Sequence, residues 1–144
     1  MTVRTIPEGY HTVTPYLVVE GVPKLIEFLT RAFDAKEVFR MAMPDGTIRH
    51  AEMQIGDSRV MMGEAQGAHR PIPAMLHLYV DDADAVYERA LRAGATSIAA
   101  PADQFYGDRT GGVQDGCGNQ WWIATHKEDV AADELARRAQ AAQR

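Results

Sequence analysis

The sequence predicts an α+β fold of two tandem βαβββ modules, whose strands form curved mixed sheets, with one more helix at the C-terminus. Three observations predict it. Tyr16-Leu17-Val18-Val19-Glu20 leads into an amphipathic helix closing on Arg31-Ala32. Sixty-one residues later, His77-Leu78-Tyr79-Val80-Asp81 leads into another, closing on Arg92-Ala93-Gly94. Each copy then runs into strand-like segments that end in a tight turn and a final apolar strand. Repetition at a fixed period marks duplicated supersecondary units, which bury their apolar faces together.

The elements follow in order within one domain, residues 1–144, with module one at 12–66, a linker at 67–73, module two at 74–126 and a C-terminal helix at 127–143. After a polar lead-in, the β-branched and aromatic run Val13–Glu20 reads as a strand. Pro23 suits the first turn of the next helix, where Leu25, Phe28, Leu29, Ala32 and Phe33 make one stripe. Glu37–Met43 and Thr47–Ile55 flank the hairpin signal Pro44-Asp45-Gly46, and Gly56-Asp57-Ser58 turns the chain into Arg59–Glu64. Module two begins with a strand at Met75–Val80 and a helix capped by Asp81 or Asp82. Val86, Tyr87, Ala90 and Leu91 form its buried stripe, and Gly94 suits its C-terminal cap. A strand near Ser97–Ala99, a long loop at Pro101–Asp108, and strands at Thr110–Gln114 and Gln120–Thr125 complete the unit. In the tail, Glu128, Asp129 and Asp133 precede Arg137, Arg138 and Arg144, the order a helix dipole favours.

Composition excludes several functions. A chain of 144 residues, 46% apolar and 24% charged, is of ordinary globular make-up. Its net charge of −5, with no basic run before the last dozen residues, argues against a nucleic-acid groove or an anionic membrane patch. The single cysteine, Cys117, rules out an internal disulfide and sits in a turn-like Gly116-Cys117-Gly118-Asn119. No apolar run is long enough to span a bilayer, and the basic-then-apolar signature of secretion is missing, so a cytoplasmic protein is expected.

Strand side chains alternate between faces, so parity predicts which residues can meet. If helices cover Leu17, Val19, Ala51, Met53, Leu76, Leu78 and Val80, the opposite faces gather Tyr16, His50, Glu52, His77, Tyr79 and Trp122, with Met61 and Met75 among them. A mostly apolar hollow with a few polar groups is the usual composition of a small-molecule site. Glu52, oriented by His50 or His77, is the candidate general base, because a half-buried carboxylate needs a partner. Phe105-Tyr106-Gly107-Asp108-Arg109-Thr110-Gly111-Gly112 reads as a binding loop, in which Tyr106 and Arg109 would meet an anionic group. The alternative is a tight turn held by Asp108 and Arg109.

Several motifs, spread over about residues 12–128, resemble the glyoxalase/bleomycin-resistance/extradiol-dioxygenase superfamily, the vicinal oxygen chelate proteins. They are Thr14-Pro15-Tyr16-Leu17, His50-Ala51-Glu52-Met53-Gln54-Ile55-Gly56-Asp57-Ser58, Leu78-Tyr79-Val80-Asp81-Asp82, the stretch Gln104 to Gly112, and Gly118-Asn119-Gln120-Trp121-Trp122-Ile123-Ala124-Thr125-His126. Within that superfamily the chain is most similar to the phosphonate-operon-associated glyoxalase-like subgroup, departing at Gly116-Cys117 where the subgroup often has Pro-Phe. The resemblance implies paired modules, a homodimer, and in metal-dependent members a divalent ion held by His and Glu on the first and last strand of each module. Those positions fall near Thr14, Met61, Met75 and Trp122, three of which are not ligands for such an ion and the first a poor one. No cofactor is therefore expected at the usual place. A divalent metal at a shifted site of His50, Glu52 and His77 is the alternative.

The expected function is the binding of a small polar or anionic organic molecule in a sheet cavity, with Tyr16, Tyr79, Tyr106, Arg109 and Trp122 as binding residues. Two alternatives stand beside it. One is a metal-dependent lyase or isomerase moving a proton next to a carbonyl through Glu52, His50 and His77, with Arg109 or a divalent metal steadying the developing oxyanion. The other is a bleomycin-type protein that confers resistance by sequestering a drug. A small molecule and a second copy of the chain are the expected partners.

Overall fold

Repetition in the sequence becomes repetition in hydrogen-bond register. The structure, a computed structural model, describes residues 2–143. The first unit comprises β1 (Tyr16–Val19), α1 (Val22–Phe33), β2 (Lys36–Ala42), β3 (Ile48–Ile55) and β4 (Ser58–Glu64). The second comprises β5 (Met75–Tyr79), α2 (Ala83–Arg92), β6 (Thr96–Asp103), β7 (Asp108–Gln114) and β8 (Gln120–His126), and α3 (Ala132–Ala142) follows. Each unit makes a four-stranded mixed sheet, ordered β1-β4-β3-β2 in one and β5-β8-β7-β6 in the other. The parallel pairs match across the duplication: Tyr16 lies opposite Met61 on β4, and His77 opposite Trp122 on β8.

The helix starts are equivalent too. The Glu64 carboxylate at the end of β4 accepts the Gly21 and Val22 amides, at 2.9 and 3.0 Å. In the second unit, Thr125 Oγ1 accepts the Ala83 amide at 2.9 Å, and the Asp82 side chain caps Ala85. In both units an amide at the helix start thus finds a side-chain acceptor on the last strand of its own sheet. Pro23 stands in the first turn of α1, and Gly94, at φ +107°, turns the chain out of α2.

Helix faces of both sheets feed one core. Leu17, Leu25, Leu29, Met53 and Met62 from the first unit join Val113, Trp121 and Ile123 from the second, all almost fully buried. The Phe33 and Trp121 rings stand 5.2 Å apart across the boundary. Arg31 Nη2 donates to the Arg92 carbonyl at 3.2 Å, and Arg89 Nη2 returns to the Arg31 carbonyl at 3.1 Å, locking α1 against α2. Each helix therefore buries one stripe between its own sheet and the other helix and leaves its remaining face to solvent, and the helix-free sheet faces look away from this core.

Four expectations need correction. The first strand starts at Tyr16 rather than Val13, which is exposed. Pro101 does not open a loop, because β6 runs through it to Asp103. The pairing of β6 with β7 slips between Ala99 and Ala102, so Pro101 sits where no ladder donor is required. Only Gln104–Gly107 turns, and Arg109 to Gly112 are strand residues. The last helix begins at Ala132 rather than 127, since Lys127 and Glu128 donate their amides to the Gly107 carbonyl and hold that stretch extended. It buries no residue of its own, and Arg144 lies outside the described residues.

Candidate functional site

On the first sheet, the helix-free face carries a continuous polar chain. Its members come from β1, β3 and the segment before β1. The Tyr16 hydroxyl meets His50 Nδ1 at 3.1 Å, and His50 Nε2 meets Glu52 Oε2 at 2.9 Å. The other oxygen, Glu52 Oε1, accepts the Tyr10 hydroxyl. A neutral His50 with its proton on Nε2 satisfies both contacts, donating to Glu52 and accepting from Tyr16. Burial pushes the Glu52 carboxyl up, but the hydrogen bonds from Tyr10 and His50 outweigh it, and the carboxyl is held below its ordinary value. Burial, and then the Glu52 charge, raise the Tyr10 hydroxyl. Phe39 and Met41 on β2, opposite Glu52 and His50 in register, add exposed apolar surface to this face.

The second sheet places a different set on its helix-free face. His77 and Tyr79 stack at 5.0 Å on β5, with Trp122 beside His77 on β8. Gly112 makes room for Trp122: a Cβ there would come within 2.7 Å of the indole. Polar groups gather at the sheet's far end. The Tyr79 hydroxyl donates to Asp108 Oδ2 at 3.2 Å, Asp108 Oδ1 meets His126 Nδ1 at 2.7 Å, and His126 Nε2 meets Asp129 at 2.7 Å. Asp108 is buried, so these bonds replace the water its charge loses.

The structure therefore separates the expected site into two parts. Tyr16, His50 and Glu52 lie together, whereas His77, Tyr79 and Trp122 belong to the other sheet. The expected single hollow within one chain does not form, because the shared core draws both helix faces together and turns the opposite faces apart. Tyr106 stands on the turn before β7, edge-on to Phe105 at 5.3 Å. Arg109 has the wrong parity for the site. It points to the helix side, where Nε and Nη2 bind Asp84 at 2.9 and 3.2 Å and Nη1 reaches Asp103 at 3.3 Å. Arg109 is thus held by Asp84 and Asp103 rather than offered to an anion from a loop.

Three residues of these networks are not site candidates in the sequence, Tyr10, His126 and Asp129, and a fourth, Asp108, is expected there only to hold a turn. Parity along β7 and β8 carried the signal for Asp108 and His126, and reading 101–108 as a loop concealed it. Tyr10 lies in an irregular segment, where no periodicity predicts what its side chain touches.

Metal-ligand positions in this chain do not fit a divalent ion. Thr14 spends its hydroxyl on the His11 carbonyl, and Met61, Met75 and Trp122 offer no hard donor. Within one chain the residues of the shifted alternative do not come together, since His77 is on the other sheet, and both nitrogens of His50 already have partners. Among the described residues, no three His, Cys, Asp or Glu side chains are placed to hold a metal.

Paired βαβββ sheets with polar groups on their helix-free faces define a class, and the sequence comparison confirms it. The Glyoxalase/Bleomycin resistance protein/Dioxygenase superfamily profile matches residues 10–123, and the chain belongs to that family. An uncharacterised protein of Mycobacterium bovis is 36% identical over 133 residues, covering 85% of this chain and 88% of its own. The crystal structure of TioX from Micromonospora superposes with a TM-score of 0.69 at 25% identity, covering 81% of this chain and 98% of that one. The PhnB protein of Bacillus cereus shares the fold, with a TM-score of 0.65 at 18% identity over 80% of this chain and 99% of its own. Among the described residues, no helix is long and apolar enough to cross a membrane.

Proposed function

We propose that the protein is a homodimeric binder of a small organic molecule, with each cavity enclosed by the first sheet of one protomer and the second sheet of its partner. The supporting observation is the pair of outward faces. Tyr16, Phe39, Met41, Met75 and Tyr79 are between 46% and 69% exposed there. Soluble monomers seldom leave so large a set of apolar side chains uncovered, and such faces mark sites of association or ligand binding. Joining the two faces puts the Tyr16–His50–Glu52 chain opposite Trp122, His77 and Tyr79. With Arg109 turned away and Glu52 an anion, the cavity suits an aromatic ligand bearing a hydrogen-bond donor better than an anionic one.

Binding without turnover, the role of a drug-sequestering protein, needs only these walls. A lyase or isomerase reading rests on the His50–Glu52 contact, where Glu52 would take a proton next to a carbonyl. Its acidity argues against this, since a carboxyl held below its ordinary value is a weak base. Within the family, kinship with the phosphonate-operon-associated subgroup is supported by the His50–Ser58 motif. The lone Cys117 supports a reducing, cytoplasmic setting.

Sedimentation at tens of micromolar should show a dimer, which Met75→Glu with Tyr79→Glu dissociates. In a thermal-shift screen of small aromatic and polar metabolites, stabilising compounds should lose most of their effect on Trp122→Ala. A monomeric wild-type protein that no compound stabilises would overturn the proposal.

A further inference from the structure

Between Thr2 and Val13, Tyr10 is the sole residue that is not exposed, and Ile6 is 41% exposed. The arm is thus tied to the sheet through one phenol. A turn presents it, with the Tyr10 amide donating to the Pro7 carbonyl at 3.1 Å and Gly9 at φ +88°. Gly9 passes so close to the Arg59 guanidinium that a Cβ would overlap it. The Tyr10 ring lies 5.2 Å below that guanidinium, and its hydroxyl reaches Glu52. Arg59 is itself held by the Gln54 side chain, opposite it in the β3–β4 pairing.

These contacts amount to a seat with three requirements. It needs a flat ring for the guanidinium face, a donor for the carboxylate, and no positive charge beside Arg59. An alkylammonium fails the last, and a carboxylate or phenolate is repelled by Glu52. A neutral phenol meets all three. We propose that the Glu52 seat takes a para-substituted phenol, and that Tyr10 holds the seat as an internal, displaceable stand-in. This rests on the cavity proposed above and names the chemistry of its ligand. An arm with no buried side chain and only Tyr10 bonded to the sheet opens cheaply, so a ligand competes chiefly with Tyr10.

The competition has a simple arithmetic. When the seat is free only part of the time, the apparent Kd rises in inverse proportion to that fraction. An arm closed nine-tenths of the time weakens binding about tenfold. The probes are p-cresol, the side chain of tyrosine itself, and toluene, which has the same shape without the donor. Titrations followed by NMR chemical shifts should find p-cresol bound about tenfold more tightly by Tyr10→Ala than by wild type, and toluene weakly by both. Adding Glu52→Ala to Tyr10→Ala removes the acceptor and should abolish the preference for p-cresol over toluene. Tyr10→Phe keeps the ring and loses the donor, and should fall between wild type and Tyr10→Ala. Equal p-cresol affinity in wild type and Tyr10→Ala, or toluene bound as well as p-cresol, overturns the proposal. That failure, with a dimer and a Trp122-dependent ligand still in place, leaves the cavity itself standing.

Discussion

The two units share a backbone plan and diverge on their open faces. In the first, a polar chain runs across the middle of the sheet from Tyr16 through His50 to Glu52, and ends by holding the N-terminal arm through Tyr10. In the second, the equivalent register places hold His77, Thr110 and Gly112, and the polar chain moves to the sheet's end. It runs from Tyr79 through Asp108 and His126 to Asp129, in the stretch before α3. The middle of the second face is left to Trp122. Core positions and helix caps stay fixed because packing and amide satisfaction allow few alternatives, whereas an outward face is free to change. One face is thus polar and anionic, the other aromatic, as two walls of one cavity would be.

The largest effect should come from breaking this pairing at the core. Trp121 and Val60 occupy equivalent places beneath their sheets, both buried. Trp121 also touches Phe33 of the first unit and donates its indole N–H to Asp115 at 2.8 Å. Trp121→Ala should cost about 3–5 kcal/mol and Val60→Ala about 2 kcal/mol, read from denaturant unfolding. Equal losses would mean that the second unit does not bear the joint between them.

Adding a methyl group tests the open faces. A Cβ at Gly112 meets the body of the Trp122 ring at 2.7 Å, while one at Gly63 meets the movable tip of Tyr16. Gly112→Ala should therefore cost about 1–3 kcal/mol and shift indole fluorescence. Gly63→Ala should cost less, and its sign is that Tyr16 leaves His50, visible in the histidine ring resonances. Caps give a smaller contrast. Glu64 accepts two amides of the first helix and Thr125 one of the second, so Glu64→Ala should cost about 1–2 kcal/mol and Thr125→Ala about 1 kcal/mol in thermal unfolding.

Much of this plan was legible in the chain. Period and parity are local properties, so the duplication, both sheets, and the outward placement of His50, Glu52, His77, Tyr79 and Trp122 could be read residue by residue. Which outward face meets which is decided by how α1 packs on α2, through Phe33, Trp121 and the Arg31–Arg92 exchange, and no local pattern encodes that. Arg109 illustrates the same limit. Read as a loop residue it looked free to bind an anion, but as a β7 residue its parity sends it to Asp84. Tyr10 reaches Glu52 across 42 residues from an irregular segment, and only the assembled sheet reveals it.

The smallest effect is also the sharpest test of the two polar chains, because they should fail on opposite changes of pH. Glu52 has a lower pKa folded than its ordinary 4.5. Its contribution is therefore complete above 4.5 and is lost as pH falls through the depressed value. His126 is raised above its ordinary 6.5, first by its bond to Asp129 and then by Asp108. Its contribution is complete below 6.5 and is lost as pH rises through the raised value. A fall in pH should thus release the N-terminal arm, while a rise above the ordinary histidine value loosens the stretch leading to α3. Amide resonances of Tyr10 and Glu128, followed across the pH range, should move in these separate windows. Glu52→Gln should remove the first transition and leave the second, and Asp129→Asn should lower the midpoint of the second and leave the first. A single transition common to both amides would show that the polar chains are one network, and that the duplication has not made two independent faces.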